Sequence, residues 1–509
     1  MRNLIATFYR LPLTQRLNKV IPAKNIYHLR LRNIIIILIT VIILACITLN
    51  NKLRSENDLK VVNEEKNSRQ GDWQIVWEEN QEQIWDGSGP VKGLKFMVYS
   101  AYLDENNERN VIRIIALTPT KGMLPNFFCH LFTGDDKTGV IPFGEPFPAI
   151  IEHSGYSQYL YGGSFILCPI MPHLTLRNTT KPYFLALSPI REKFDGRRIL
   201  PVQKIQRRRT SRENVFNFQY HFAICVQPTY RYDSVLELME WLEFHRMMGV
   251  THVTMYNISM GAHVSCLLRS NALKKNLDVL VLPWGLPIPS KQVHVNGQVA
   301  QSNDCLWRYR GVANYVLFLD FDEYLVPNYT HAVNYAQLVE RLKTVPVDEK
   351  LNRSLPVAQF LFRSAFFGKD LAREFGTRRK LALPSTDSSE KLRLDDLITF
   401  TRTERQSFMY PAKVRSKFMS IPNQVIEPGV HYLERSEPRS LGEVQVSPEE
   451  IGFVHHYRDY LCGVRECSTL KKVTDNSAHF WVAGVLERTE ELWKEVRKEC
   501  NLGLEMLQS

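Results

Sequence analysis

Acidic residues are missing from the first 32 positions, which carry Arg2, Arg10, Arg16, Lys19, Lys24, Arg30 and Arg32 and no Asp or Glu. Seven of the formal +11 charges therefore sit on one short stretch, and the other 477 of the 509 residues are only mildly basic. A role in binding nucleic acid loses its main support. No C-x-x-C pair occurs, which argues against a structural zinc site. A second long uncharged apolar run is absent, which excludes a multispanning transporter. No internal repeat is visible, so a solenoid is excluded as well. Charged residues make up 23%, too few for a coiled coil, while 44% hydrophobic and 11% aromatic residues exclude a disordered chain.

The one long apolar run is IIIILITVIILACITL at 34–49, flanked by Arg32 and Lys52. As a helix, the intervening residues span roughly 28 Å, enough for a thin secretory-pathway bilayer. A cleaved signal peptide fits less well, because a long basic segment precedes the run and no A-x-A-like site follows it. With the basic flank N-terminal, the positive-inside rule predicts a cytoplasmic tail at 1–32, a transmembrane signal-anchor at 33–50 and a lumenal remainder. Eight of the nine cysteines lie beyond the anchor, an even number that in an oxidising compartment points to disulfides without fixing their pairing. N-x-S/T sequons at Asn178, Asn257, Asn328 and Asn352 agree with a lumenal body.

Residues 51–85 read as a charged stem. From 86 to 210 short apolar runs alternate with Gly, Pro and Asn, which predicts a β-rich lumenal domain opening with a hairpin around DENNERN. The basic run at 204–212 marks a boundary. Beyond 216 the pattern becomes strand, helix, strand, predicting an α/β domain over 216–485 with a parallel sheet whose ligand sits at the carboxyl ends of the strands. A final amphipathic helix is expected over 486–509.

Chemistry concentrates at YVLFLDFDEYLVP. A D-x-D triplet alone is weak, but here an apolar strand delivers Asp320 and Asp322 to the edge where a parallel sheet opens. Carboxylates at i and i+2 of an extended chain point the same way, can share a hard divalent cation, and through it can hold a diphosphate. An Asp-nucleophile phosphatase has a similar look, but its motif comes early in the domain and is followed by Thr or Val instead of Glu323. Downstream, another apolar run ends in His455, His456, Tyr457 and Arg458. Adjacent His residues on a strand face opposite ways, so one of the two completes a Mn²⁺-type site, and Arg458 can pair with phosphate oxygens. Arg415, Lys417 and His431 form a second polar cluster that reads as solvated surface.

Taken together, CVQP at 225–228, EWLEFH at 240–245, Gln298, Asn303-Asp304-Cys305, LFLDFDEYLVP, KFMSIP at 417–422, GVH at 429–431 and HHYR at 455–458 resemble glycosyltransferase family 92. The resemblance spans roughly 92–480. It implies a GT-A type nucleotide-sugar-binding fold in a type II Golgi membrane protein, with Mn²⁺ or a similar divalent cation as cofactor. It further implies a UDP-sugar donor, most simply UDP-galactose, and a glycan or glycoprotein acceptor. Asp320, Asp322 and His456 match the metal and diphosphate positions. Gln227, Pro228, Asn257, Gln298, Asn303 and Asp304 match positions expected to face the donor, so a glycan on Asn257 would block the pocket and that sequon is expected to stay unused. Ser420-Ile421-Pro422 departs from the family's Arg before this Pro. The implied reaction is an inverting displacement whose general base is Asp370, Glu374 or Glu427. A catalytically inactive glycan-binding or chaperone-like relative is the alternative, and the intact D-x-D and His-His disfavour it.

Overall fold

The computed structural model describes residues 72–503 except 79–83, 87–88, 92–93, 107–108, 122–124, 136–138, 156–157, 171–182, 192–198, 205–217, 345–354, 369–390 and 459–470. The expected tail, the anchor and most of the stem lie outside the described residues, as do Asp370, Glu374, Cys462, Cys467 and the sequons at Asn178 and Asn352. Among the described residues no helix is long and apolar enough to cross a membrane. Gln70–Ser509 forms one compact unit of mixed α/β architecture.

Two large sheets build this unit. The first holds ten strands between Gln74 and Lys204, almost all antiparallel. Its spine is a hairpin of Lys95–Asn106 and Arg109–Pro119, flanked by Tyr161–Pro169. Alternation sends Phe96 and Val98 to one face and Met97 and Tyr99 to the other. A register shift between Val98 and Ser100 then inverts the parity, so that Ala101 and Leu103 share the face of Phe96 while Tyr102 joins Tyr99. One extra residue at a bulge has that effect on a period-two chain.

The second sheet has seven strands. Tyr220–Cys225, Val250–Asn257, Asp278–Pro283 and Ala313–Phe318 run parallel, joined by helices, as the alternating pattern predicts. Lys417–Ser420 adds on antiparallel beside Ala313–Phe318, followed by Gln359–Phe362. The stretch GAHVSCLLRSNALKK folds as two helices, Ala262–Arg269 and Asn271–Lys274. Ser270 takes an extended conformation between them and its side chain caps the second. The C-terminal helix starts earlier than expected, at His479, and ends at Cys500, which is tied to Cys266 by a disulfide. Further disulfides join Cys129 to Cys168 and Cys225 to Cys305.

The two sheets share a core. Tyr99, Tyr102, Phe165 and Leu167 of the first pack with Tyr256 and Phe418 of the second, with Trp284 just beyond its strand Asp278–Pro283 and with Trp307 of the helix Gln298–Tyr309. At its centre Asp304, fully buried on the helix Gln298–Tyr309, accepts hydrogen bonds from Ser100 and from the hydroxyls of Tyr102 (2.7 Å) and Tyr256 (2.6 Å), and pairs with Arg308 at 2.6 Å. An isolated buried carboxylate would be costly, and three donors from the two sheets and one from its own helix satisfy it.

A third, small sheet sets the later chemistry. Glu323–Pro327 pairs antiparallel with Gly452–His456, placing Glu323 opposite His456, and Ser364–Phe366 flanks them. Gly452 opens its strand at φ +126°, and a Cβ there would lie 2.3 Å from the Val326 carbonyl oxygen. Only glycine fits that conformation and that gap. We expect Gly452→Ala to lower unfolding free energy by about 2–4 kcal/mol, read by thermal unfolding. Wild-type stability would contradict this account of how the strand is held.

Candidate active site

Ala313–Phe318 ends in Leu319 and Asp320, and the chain turns through Phe321 and Asp322 into the next strand. The turn is closed by its own groups: the Glu323 amide donates to the Asp320 carbonyl at 3.1 Å, and Glu323 Oε2 accepts from the Asp320 amide at 2.9 Å. The Tyr457 amide donates to the Asp322 carbonyl at 2.7 Å, pinning the turn to the strand that ends at His456.

A buried ammonium sits under this turn. Lys417 Nζ lies 2.9 Å from Asp320 Oδ2 and 2.8 Å from Glu323 Oε2, and the side chains of Lys417 and Glu323 are almost wholly inaccessible. Burial and the neighbouring Glu323 charge push the Asp320 carboxyl up to about 6, against the opposing pull of Lys417. Burial alone would depress the Lys417 ammonium, yet Asp320 and Glu323 outweigh it and raise it. Asp322 stands differently. Its side chain is 41% exposed and its Oδ2 lies 3.2 Å from His456 Nε2. Desolvation works against the Asp322 charge, but the hydrogen bond and charge of His456 hold its carboxyl below the usual range. His456 is in turn raised, since Glu323, 3.4 Å from its Nδ1, and Asp322 overcome its burial.

The paired histidines divide as a strand requires. His456 faces the carboxylates, while His455 is fully buried and stacks on Phe367 at 4.2 Å, its imidazole pushed down to about 3 by burial.

Beside the turn opens a cleft of about 470 Å³, lined by Val226 to Tyr230, Tyr232, Glu237, Val295, Asn296, Asp320 to Asp322, Arg402, Tyr457 and Arg458. Of the residues singled out from sequence, it brings together Gln227, Pro228, Asp320, Asp322 and Arg458, with His456 bonded to Asp322. It does not bring in the helix residues. Asp304 is committed to the inter-sheet cluster, Asn303 donates to the Val299 carbonyl within its own helix at 2.9 Å, and Gln298 is buried at that helix's start. Asn257 lies at a strand end with its carbonyl taken by the Trp284 amide and its side-chain oxygen buried. Glu427 is buried away from the cleft and pairs with Arg435 at 3.3 Å.

Several cleft residues carry no sequence signal of their own. Val295 and Asn296 sit at φ +38° and +54°, a left-handed turn that is costly for a β-branched residue and places both on the cleft wall. The Asn296 carbonyl is held by Trp284 Nε1 at 2.8 Å. Arg402 follows a short helical turn, Ile398–Thr401, whose first amides are bound by the buried Glu240 carboxyl. The 398–402 segment is thereby fastened to the helix Val235–Met247.

A carboxylate and an imidazole suit Mn²⁺ or a similar cation. Asp322 and His456 offer that pair at the cleft, and the exposed Arg458 and the half-buried Arg402 add positive charge for an anionic ligand. Among the described residues no three His, Cys, Asp or Glu side chains already stand together at cation-holding geometry. The Lys417 ammonium stands between Asp320 and Glu323.

A family model described as glycosyltransferase family 92 matches residues 220–482, more than half of the chain. The Caenorhabditis elegans protein described as beta-1,4-galactosyltransferase galt-1 is 25% identical over 240 residues, 45% of this chain. The chain spans about half the length (51%) of that curated relative. Among solved structures, Staphylococcus aureus TarS (residues 1–349) aligns over 47% of this chain and 60% of its own at 12% identity and a TM-score of 0.23. An apo structure of the bifunctional glycosyltransferase WbbM aligns over 31% and 27% at 13% identity and a TM-score of 0.16. At scores this low neither bears on the fold.

Replacing Lys417 by Met leaves Asp320 and Glu323 facing each other without a counter-charge. We expect this to cost about 3–5 kcal/mol of stability, measured by chemical unfolding. A loss below about 1 kcal/mol would mean that the ammonium does not hold the turn.

Proposed function

Because this chain belongs to glycosyltransferase family 92, we propose that it transfers a hexose, galactose from UDP-galactose, to a glycan acceptor with inversion at the anomeric carbon. The observation that carries the reading is the pairing of Asp322 with His456 at 3.2 Å on the rim of a cleft that Arg402 and Arg458 also line. The name of the nematode relative supports galactose as the sugar. A fold of GT-A type, a Golgi location and anchoring through 33–50 belong to the same proposal, supported by the parallel strands ending at the D-x-D and by the apolar run.

In this reading Gln227 and Pro228, at the end of the first parallel strand, receive the nucleotide base. Asp322 and His456 would hold a divalent cation, which when bound neutralises the diphosphate of the donor. Asp320, fixed by Lys417, holds the turn in the shape that presents Asp322. Arg458 and Arg402 stabilise the charge that grows on the departing diphosphate, work that is strongest in a pre-organised, water-poor cleft. The acceptor hydroxyl gives its proton to a carboxylate as it attacks. Glu427 is buried away from the cleft, which leaves Asp370 and Glu374, outside the described residues, as the candidates for that role.

The test is turnover of UDP-hexoses by the full chain, with and without Mn²⁺. Cation-dependent transfer is the expected result. Turnover without a cation, or no UDP binding at all, would count against the transferase reading, and UDP binding without any transfer would favour the catalytically inactive relative. Asp322→Asn should lower turnover roughly 10²–10³-fold while thermal unfolding stays near wild type, since its side chain is 41% exposed. Turnover within about tenfold of wild type would remove Asp322 from the machinery.

A further inference from the structure

On the side of His456 formed by Phe366, a run of aromatic rings leads from the site to the surface. Phe366 packs edge-on against His456 at 4.7 Å and against Tyr410 at 5.0 Å, and Tyr410 meets Phe408 at 5.6 Å. Phe366 is fully buried, whereas Phe408 is 46% exposed. The Phe408 ring ends this run of edge and tilted ring contacts and offers an apolar face at the surface.

The segment that carries these rings is held rigidly. Arg363 donates to the carbonyls of Tyr410 (2.8 Å) and Met409 (2.9 Å), the Tyr410 amide donates to the Ser364 carbonyl, and Ser364 Oγ donates to the Arg415 carbonyl at 2.8 Å. Arg415 itself takes φ +56°, a left-handed conformation unusual for its type. That backbone sets its guanidinium over the rings of Phe366 and Tyr410, 5.4 Å from each. Among the described residues Arg415 has no carboxylate partner. Five donors are thus presented beside two aromatic planes, one of which packs on His456, and apart from the residues that line the cleft.

Flat apolar faces with an adjoining planar donor match the chemistry of a sugar ring, which has a C–H face and a hydroxyl rim. We infer that Phe408, Tyr410 and Arg415 form the subsite for a sugar ring of the acceptor glycan, with Phe408 taking its C–H face and the Tyr410 hydroxyl and Arg415 guanidinium bonding to its hydroxyls. This rests on the transferase reading above and assigns the acceptor end of the same site. Through the buried Phe366 ring this surface is packed against His456, the partner of Asp322.

The test is saturation-transfer difference NMR on the full chain in detergent micelles with Mn²⁺ and UDP. The probes are the methyl glycosides of glucose, galactose, mannose and their N-acetylhexosamines. At least one should receive saturation, and Phe408→Ala, an exposed change that leaves the fold intact, should weaken its affinity about tenfold. UDP affinity should stay within about twofold, because Phe408 does not line the nucleotide cleft. Unchanged saturation in Phe408→Ala, or no saturation of any glycoside while UDP binds, overturns the subsite. Failure of UDP to bind is the separate outcome that strikes the donor reading. The same comparison without UDP then still decides the role of Phe408.

Discussion

A lysine ammonium buried between two carboxylates shapes the whole site. Lys417 comes from a strand added antiparallel to the parallel set and neutralises Asp320 and Glu323 from beneath. Three acids within four residues would otherwise repel one another at a strand edge, and a turn so charged would not keep one shape. With Lys417 in place, two of the three become structural and one, Asp322, is left at the rim with His456. The two acids of the D-x-D therefore stand in different surroundings, the first against the buried Lys417 and the second, more exposed, against His456.

The first sheet contributes through packing. Its bulge between Val98 and Ser100 turns both Tyr99 and Tyr102 toward the second sheet, and Ser100 and Tyr102 both reach Asp304. Asp304 lies on the helix that follows the left-handed turn at Val295 and Asn296, two residues of the cleft wall. Gly163 of the first sheet comes so near that helix that a Cβ would lie 2.8 Å from Val299. The β-rich sheet thus buttresses one wall of the cleft from behind, and the Cys225–Cys305 disulfide ties the same helix to the first parallel strand.

Much of this is legible in the sequence where the signal is local. The alternating strands and helices from 221 to 318, the long hairpin and the D-x-D at a strand edge all follow from periodicity, and the opposed faces of His455 and His456 follow from strand geometry. What escapes is long-range. Lys417 reads as solvated surface because its partner Asp320 is 97 positions away, and nothing in KFMSIP announces a buried ion pair. Asp304 reads as donor-facing because it sits just before the motif, yet its partner Ser100 lies 204 positions upstream. Arg402 enters the cleft because a buried Glu240 binds the turn before it, a contact across 158 positions. Polar residues show their types in a sequence, but whether each is satisfied by the core or offered to a ligand depends on contacts that only the fold creates.

The central claim is that Asp322 and His456 hold a cation while Asp320 stays with Lys417. Anomalous diffraction from crystals soaked in Mn²⁺ and UDP reads this directly. The account predicts one peak within ligand distance of Asp322 and His456, with Lys417 still on Asp320 and the nucleotide in the cleft beside Gln227 and Pro228. A peak that displaces Lys417 from Asp320, or one remote from His456, would contradict it.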